Sequence, residues 1–212
     1  MLEVYGFARV NKFAHGNTRD LRVLWALEEM GLHYQIVGLD HPNHDLDSPA
    51  YRALNPFGQI PTIDDDGVVV TESGAIVLYL ARKSGKLMPR DLAGEAQVLR
   101  WSVAALNSIE VPVLTLWFVN LNDGKGTKPS EALHAWAKMR LEQLDGWLAK
   151  REFIATDDFT VADILMTHVL VAGTNAELIK PYANLLAYRA RCTERPAWKK
   201  TLDAYYDRVE AA

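Results

Sequence analysis

The sequence predicts an α/β domain followed by an all-helical one, and three observations carry that expectation. Residues 1–82 alternate between strand-like and helix-like apolar patterns in the order β-α-β-α-β-β-α. The stretch KSGKLMPRDL, residues 83–92, then breaks the periodicity with Gly85 and Pro89. Beyond it, apolar residues recur at three- to four-residue spacing only. The expected organisation is an N-terminal domain over 1–82, a linker over 83–92 and a helical domain over 93–212.

Leu2-Glu3-Val4-Tyr5-Gly6-Phe7 alternates as a half-buried first strand. Arg19 to Met30 carries Leu21, Leu24 and Leu27 on one face and stops at Gly31, where glycine can take the left-handed closing conformation of a helix. His33 to Leu39 is the second strand, and Asp40 to Leu54 a loop with a short helix. Ile60-Pro61 opens a short β-prone run through Ile63; a proline suits a strand entrance because it has no N–H to offer a ladder, and its peptide bond is a candidate for the cis form. Asp64-Asp65-Asp66-Gly67 reads as a hairpin turn into Val68-Val69-Val70-Thr71. Ser73 is the expected N-cap of a helix over Gly74–Lys83. This is the thioredoxin-like order of elements.

In the helical part, Val98, Trp101, Ala105, Ile109, Val113 and Leu116 form one apolar face, while Leu99, Val103, Leu106 and Trp117 begin another. That helix should be packed on two sides and bent at Pro112. Leu133 to Trp147 marks a second long helix after a polar turn. Thr160 and Asp163 stand at the spacing of a capping box, which would nucleate a buried helix over Val161–Val171. Segments at Asn184–Tyr188 and Pro196–Trp198 supply two more helices.

Composition narrows the function. With 212 residues and 49% hydrophobic content, the chain can bury one large or two small cores. A net charge of −4 argues against nucleic acid or an anionic membrane surface as the main partner. Cys192 is the single cysteine, which rules out an internal disulfide and any Cys-x-x-Cys redox or zinc motif. No signal peptide is expected in Met1–Lys12 and no segment of membrane-spanning length, so the cytoplasm is the expected compartment.

The stretch from Asn55 to Ile76, NPFGQIPTIDDDGVVVTESGAI, suggests a binding edge. An extended peptide can pair its main chain at Ile60, seat a carboxylate on the helix N-terminus at Ser73 and place an ammonium group against Glu72. NPFGQIP, a hairpin and TESGAI in this order resemble the glutathione-binding half of the cytosolic glutathione transferases. The resemblance extends over essentially the whole chain. It implies glutathione as co-substrate, bound by Gln59, Ile60, Pro61, Glu72 and Ser73, with His44 near the glycine carboxylate, and no metal.

A glutathione transferase keeps the group that activates the thiol between its first strand and first helix. A free thiol titrates near about 8.5, and lowering that by about two units needs roughly 2.7 kcal/mol, within reach of one or two hydrogen bonds to the thiolate. The family uses Tyr, Ser or Cys there. This chain departs from that pattern: from Gly6 to His33 it has none of the three, and Thr18 carries the only hydroxyl. The serine position of the resemblance falls on Asn17, so Asn17 and Thr18 are the expected catalytic pair, as in bacterial members with Asn or Thr. Simple N-capping is the alternative for both residues. Arg9, Lys12, His15, Arg19 and Arg22 against the lone Asp20 suggest an anion-attracting rim. His41, His44, Asp40, Asp45 and Asp47 lack helical His-x-x-x-His spacing and read as surface rather than zinc.

The resemblance implies a detoxifying glutathione S-transferase, a homodimer, whose thiolate attacks a hydrophobic electrophile. A glutathione-dependent disulfide or peroxide reductase is one alternative. A non-catalytic glutathione-binding scaffold is another.

Overall fold

Strand β1 (Leu2–Val10) is the axis on which the first part of the chain assembles. In the computed structural model, which describes residues 1–172 and 176–212, it pairs in parallel with β2 (Gln35–Asp40) and antiparallel with β3 (Thr62–Asp65). β3 in turn pairs antiparallel with β4 (Val68–Thr71), so the sheet runs β2-β1-β3-β4. Helix α1 (Asp20–Met30) ends at Gly31 with φ 65, as the glycine stop predicts. A short 3-10 turn, Asp45–Asp47, leads into α2 (Pro49–Leu54), whose Ser48 cap accepts the N–H of Tyr51. α3 (Ser73–Ser84) ends at Gly85 with φ 67. The predicted β-α-β-α-β-β-α order is the observed one.

The hairpin between β3 and β4 turns at Asp66 and Gly67, both with positive φ, and Asp64 accepts the Gly67 N–H at 2.7 Å. Two left-handed residues give the tight turn whose twist matches the flanking strands. At the end of β3 the buried Asp65 accepts from Tyr79 at 2.7 Å and pairs with Lys83, both on α3. These contacts fasten the hairpin to the helix that follows it.

The second part of the chain is helical: α4 (Leu92–Val103), α5 (Glu110–Val119), α6 (Lys128–Leu148), α7 (Val161–Val171), α8 (Ala176–Ile179) and α9 (Ala183–Thr193). A π-helical turn, Ala104–Ile109, joins α4 to α5 immediately before Pro112. The proline has no N–H and its ring opposes the carbonyl four residues back, and a widened turn is one way a helix absorbs that. A second π turn, Asn120–Gly124, ends where Asn122 and Asp123 leave helical geometry. The two π turns make one continuous helical run of Leu92–Gly124, in which one 18-residue window reaches a mean hydropathy of 1.5, a length and composition that the core helix of a globular protein shares. In this structure the run packs against α6 and α7.

α7 is buried along most of its length, Val161 to Leu170. Burying each of its large aliphatic side chains contributes about 1.5–3 kcal/mol. Its start is the predicted capping box. Asp163 accepts the N–H of Thr160 at 2.9 Å, the N–H of Ile154 at 2.8 Å and the hydroxyl of Tyr188 at 2.9 Å. One buried carboxylate thus joins the loop before α7, the helix itself and α9.

By contacts the chain divides into two units, Met1–Lys86 with Arg195–Ala212, and Leu87–Glu194. The last helix, α10 (Pro196–Arg208), and a two-residue strand, β5 (Glu210–Ala211), group with the N-terminal elements. α10 buries Trp198, Thr201 and Tyr205, one helical face, and lies against α1. Trp198 meets Trp25 at 4.7 Å between ring centroids, and Arg195 grips Glu29 with two bonds of 2.6 and 2.8 Å. β5 pairs in parallel with the end of β1, Arg9 opposite Glu210 and Val10 opposite Ala211. That pairing is why β1 runs three residues past the predicted Phe7. The alternation in the sequence stops there, and the partner that sustains the strand lies at the far end of the chain.

Asp163→Ala should lower unfolding stability by about 3 kcal/mol or more in urea titration, because several buried donors lose their acceptor at once. The Asp65 carboxyl is held below its ordinary range by hydrogen bonds from Lys83 and Tyr79. The folded chain therefore takes up this proton less readily than the unfolded chain, whose Asp titrates near about 3.9. Its contribution is present above that value and is lost as the pH falls through the depressed folded value. The urea-midpoint difference between wild type and Asp65→Asn should accordingly be full at pH 7 and shrink below about pH 4.

Candidate functional site

Asn55 organises the turn that leads to the predicted binding edge. Its side-chain oxygen accepts the N–H of Phe57 at 3.1 Å and its backbone oxygen that of Gly58 at 2.9 Å. Asparagine is the residue whose side chain mimics a turn in this way. Its amide then donates to the carbonyl of Gln59 at 2.7 Å, which also accepts the Tyr51 hydroxyl at 2.7 Å. Two buried donors thus hold the Gln59 carbonyl, while the Gln59 side chain is exposed. The Ile60-Pro61 peptide bond is cis, and Pro61 is buried. Among the described residues, no backbone hydrogen bond involves the N–H or carbonyl of Ile60. These are the groups an extended peptide would need.

The hairpin brings the start of α3 alongside. Thr62 pairs with Thr71, so Pro61 and Ile60 run on opposite Glu72 and Ser73. The N-cap of α3 is Glu72, one residue before the expected Ser73. Glu72 has φ 69 and ψ 116, a conformation that non-glycine residues rarely hold, and its side chain is exposed. The first helical bond runs from Ile76 N–H to the Glu72 carbonyl, so the N–H groups of Ser73, Gly74 and Ala75 stand outside the helix ladder. Such a terminus favours an anion.

Ser73 is not a cap because its hydroxyl has another partner. It accepts from the guanidinium of Arg22 at 3.1 Å, and both side chains are buried. Arg22 therefore does not belong to a solvated basic rim, as its place in the loop sequence suggested. Arg9 is likewise engaged, with Asp40 at 3.4 Å and Glu210 at 3.7 Å. The lone acid Asp20 is fully buried, and burial raises its carboxyl above the ordinary range. It accepts the N–H of Phe7 at 3.3 Å.

Asn17 and Thr18 lie in the turns that enter α1, which starts at Asp20 with Arg19 at the cap position. The two differ in exposure. Asn17 is exposed, with its amide 3.4 Å from the His15 carbonyl. Thr18 is only 6% exposed and its hydroxyl donates to the phenol oxygen of Tyr205 on α10 at 2.9 Å. Sequence reasoning missed Tyr205, because no pattern near Thr18 points to a residue so distant in the chain.

His44 has φ 62, is exposed, and faces Asp47 at 3.2 Å, which in turn pairs with Arg52 at 2.7 Å. No hydrogen bond or ion pair among the described residues joins it to the Gln59–Ser73 stretch. Among the described residues, no three His, Cys, Asp or Glu side chains gather to hold a metal ion. Cys192 is fully buried on α9, and burial pushes its thiol up to about 12, far from the reactive thiolate range.

Comparison with known proteins bears on both units. Residues 21–83 match the family described as "Glutathione S-transferase, N-terminal domain", and residues 106–196 match "Glutathione S-transferase, C-terminal domain". Glutathione S-transferase 3 of Schizosaccharomyces pombe is 31% identical over 199 residues, spanning 85% of this chain and 81% of its own. A solved glutathione transferase family member from Pseudomonas fluorescens, with two glutathione molecules bound, is similar at a TM-score of 0.83 and 26% identity, covering 95% of this chain and 92% of its own. A glutathione transferase from Pseudomonas putida, with one glutathione disulfide bound per subunit, gives the same TM-score and identity over 95% of this chain and 90% of its own.

Proposed function

This chain belongs to the glutathione S-transferase family, and from that premise we propose that it binds glutathione against Ile60 and the N-terminus of α3 and activates its thiol for attack on a hydrophobic electrophile. The observation that carries this reading is the paired geometry of the hairpin. The register Thr62 to Thr71 sets the unpaired main chain of Ile60 beside Glu72 and Ser73. A tripeptide with an extended backbone, a carboxylate and an ammonium group matches those groups one for one. The exposed Gln59 and Glu72 take the polar ends of the ligand, Pro61 shapes the edge, and His44 adds positive charge at the rim when protonated.

Asn17 is the residue we assign to the sulfur. Its amide N–H is a neutral donor at an exposed position, and a hydrogen bond to the charged form lowers a thiol's pKa. Thr18, with its hydroxyl held by Tyr205, supports the loop from below. No proton leaves the protein in this scheme: the thiol loses its proton to solvent and the amide stabilises the thiolate that remains.

The glutathione pair bound to the Pseudomonas fluorescens protein and the disulfide bound to the Pseudomonas putida protein favour a second reading, reduction of a disulfide by glutathione. The two reactions share the thiolate and differ in what it attacks, carbon or sulfur. The buried Cys192 takes no part in either.

An ultraviolet difference titration of bound glutathione should give a thiolate midpoint about two units below the free value near 8.5. Asn17→Ala should move it back by about one unit, leaving roughly fivefold less thiolate at pH 6.5, and Thr18→Val should move it less. Absence of glutathione binding would sink the reading. Turnover with an aryl halide against turnover with a small disulfide then decides between transferase and reductase. We further assign a homodimer to the exposed apolar side chains of α4 and α5, among them Val103 at 60% and Phe118 at 59%. Sedimentation should show twice the monomer mass at micromolar concentration, and Phe118→Asp should halve it.

A further inference from the structure

We propose that Tyr205 is a positioning residue for the thiol-activating loop, acting through Thr18, with the final strand as its second point of hold. The inference rests on the assignment of Asn17 above and extends it to residues outside the glutathione contacts.

The loop from Asn11 to Arg19 lies outside any helix or strand. Its own backbone bonds are short-range turns: Ala14 to Asn11, His15 to Lys12, Asn17 to Ala14. Turns of that kind fix little about where the loop stands relative to the sheet, and each could open without disturbing the core. The last eight residues of the chain supply long-range holds on the loop. Lys12 N–H donates to the carbonyl of Ala212 at 3.0 Å, and Ala212 N–H to that of Val10 at 2.8 Å. His15 Nε2 lies 2.8 Å from the carbonyl of Val209. The Thr18 hydroxyl meets Tyr205 at 2.9 Å. The loop is thus held near its start, its middle and its end.

Gly16 shows how closely the two segments approach. It has φ 79, and a Cβ there would lie 2.3 Å from the hydroxyl oxygen of Tyr206, whose ring centroid is 5.1 Å from that of His15. Any other residue would be strained at that φ and would have to displace the Tyr206 hydroxyl.

Tyr205 is able to fix the loop because it is itself fixed. It lies on the buried face of α10 with Trp198 and Thr201, and α10 is fastened to α1 at its other end by the Arg195–Glu29 pair and the Trp25–Trp198 contact. α1 begins two residues after Thr18. The phenol is 1% exposed, and burial raises its pKa, so it stays neutral wherever the enzyme would work. A neutral phenol can both accept from and donate to Thr18. The bond, together with the hydrogen bond between the Thr18 side chain and the buried Asp20 carboxyl, sets the height of Thr18 above the core. The adjacent Asn17 is then presented at one place, which is what a single amide must have to stabilise one sulfur atom.

The test is the thiolate titration of bound glutathione in the wild type, Tyr205→Phe and a chain lacking Glu210–Ala212, with glutathione affinity measured in parallel. The expected result is a midpoint raised in both variants, with about two- to fivefold less thiolate at pH 6.5 and glutathione affinity within about twofold of wild type. Amide exchange over residues 11–18 should speed up in both. A lowered wild-type midpoint that neither variant changes would overturn the role of Tyr205 while leaving the function standing. An unshifted wild-type midpoint would instead remove the thiol-activation reading on which this rests. Should Tyr205→Phe fail to fold, Thr18→Val decides in its place, because it removes the same hydrogen bond from the other partner and leaves Tyr205 and α10 intact.

Discussion

The complete burial of α1 is the constraint on which the N-terminal unit depends. Every residue of that helix except Glu28 and Glu29 is buried, and two of the buried ones, Asp20 and Arg22, are charged. A charge taken out of water costs free energy unless it finds a partner or is neutralised by a shifted pKa. Arg22 finds the Ser73 hydroxyl, which draws the start of α3 to α1. Asp20 finds the Phe7 N–H, which draws the end of β1 to the same helix. At the solvent edge Glu29 finds Arg195, which brings α10 back from the far end of the sequence. The polar groups of one buried helix thereby dictate where three other elements sit.

The candidate site is a by-product of this arrangement. Anchoring Ser73 inward leaves Glu72 to end the strand in a strained conformation with its side chain in solvent. Backbone in sparsely populated φ/ψ space costs of order 1–3 kcal/mol and persists only where surrounding structure imposes it. Here the hairpin pairing on one side and the Arg22–Ser73 bond on the other impose it. Asn55 and Tyr51 do the same for the candidate edge, since both hold the Gln59 carbonyl that precedes Ile60. The loop carrying Asn17 takes support from α10 and β5.

Much of this was legible in the sequence, and the parts that were share a physical basis. The strand and helix order, the glycine stops of α1 and α3, the positive φ at Gly67 and the Thr160–Asp163 box all arise from contacts within a few residues of one another. Periodicity and turn chemistry report such contacts directly. The NPFG and TESGAI segments belong to the same class, because a hairpin brings them together with little intervening chain. The misplacements also have one cause. Ser73 as cap, Arg22 as rim and Phe7 as the end of the first strand each follow from local rules, and each yields to a partner distant in sequence.

The sequence by itself determined an α/β part followed by a helical one, pointed to a candidate edge at Ile60, and left Tyr, Ser and Cys out of the loop where a thiol would be activated. Only the tertiary structure decided that Asn17 is exposed while its neighbour Thr18 is committed to Tyr205, 187 positions away. Two adjacent polar residues in a turn are equivalent to any local rule. They become different when the buried face of a helix from the other end of the chain supplies a hydroxyl to Thr18, while Asn17 stays exposed.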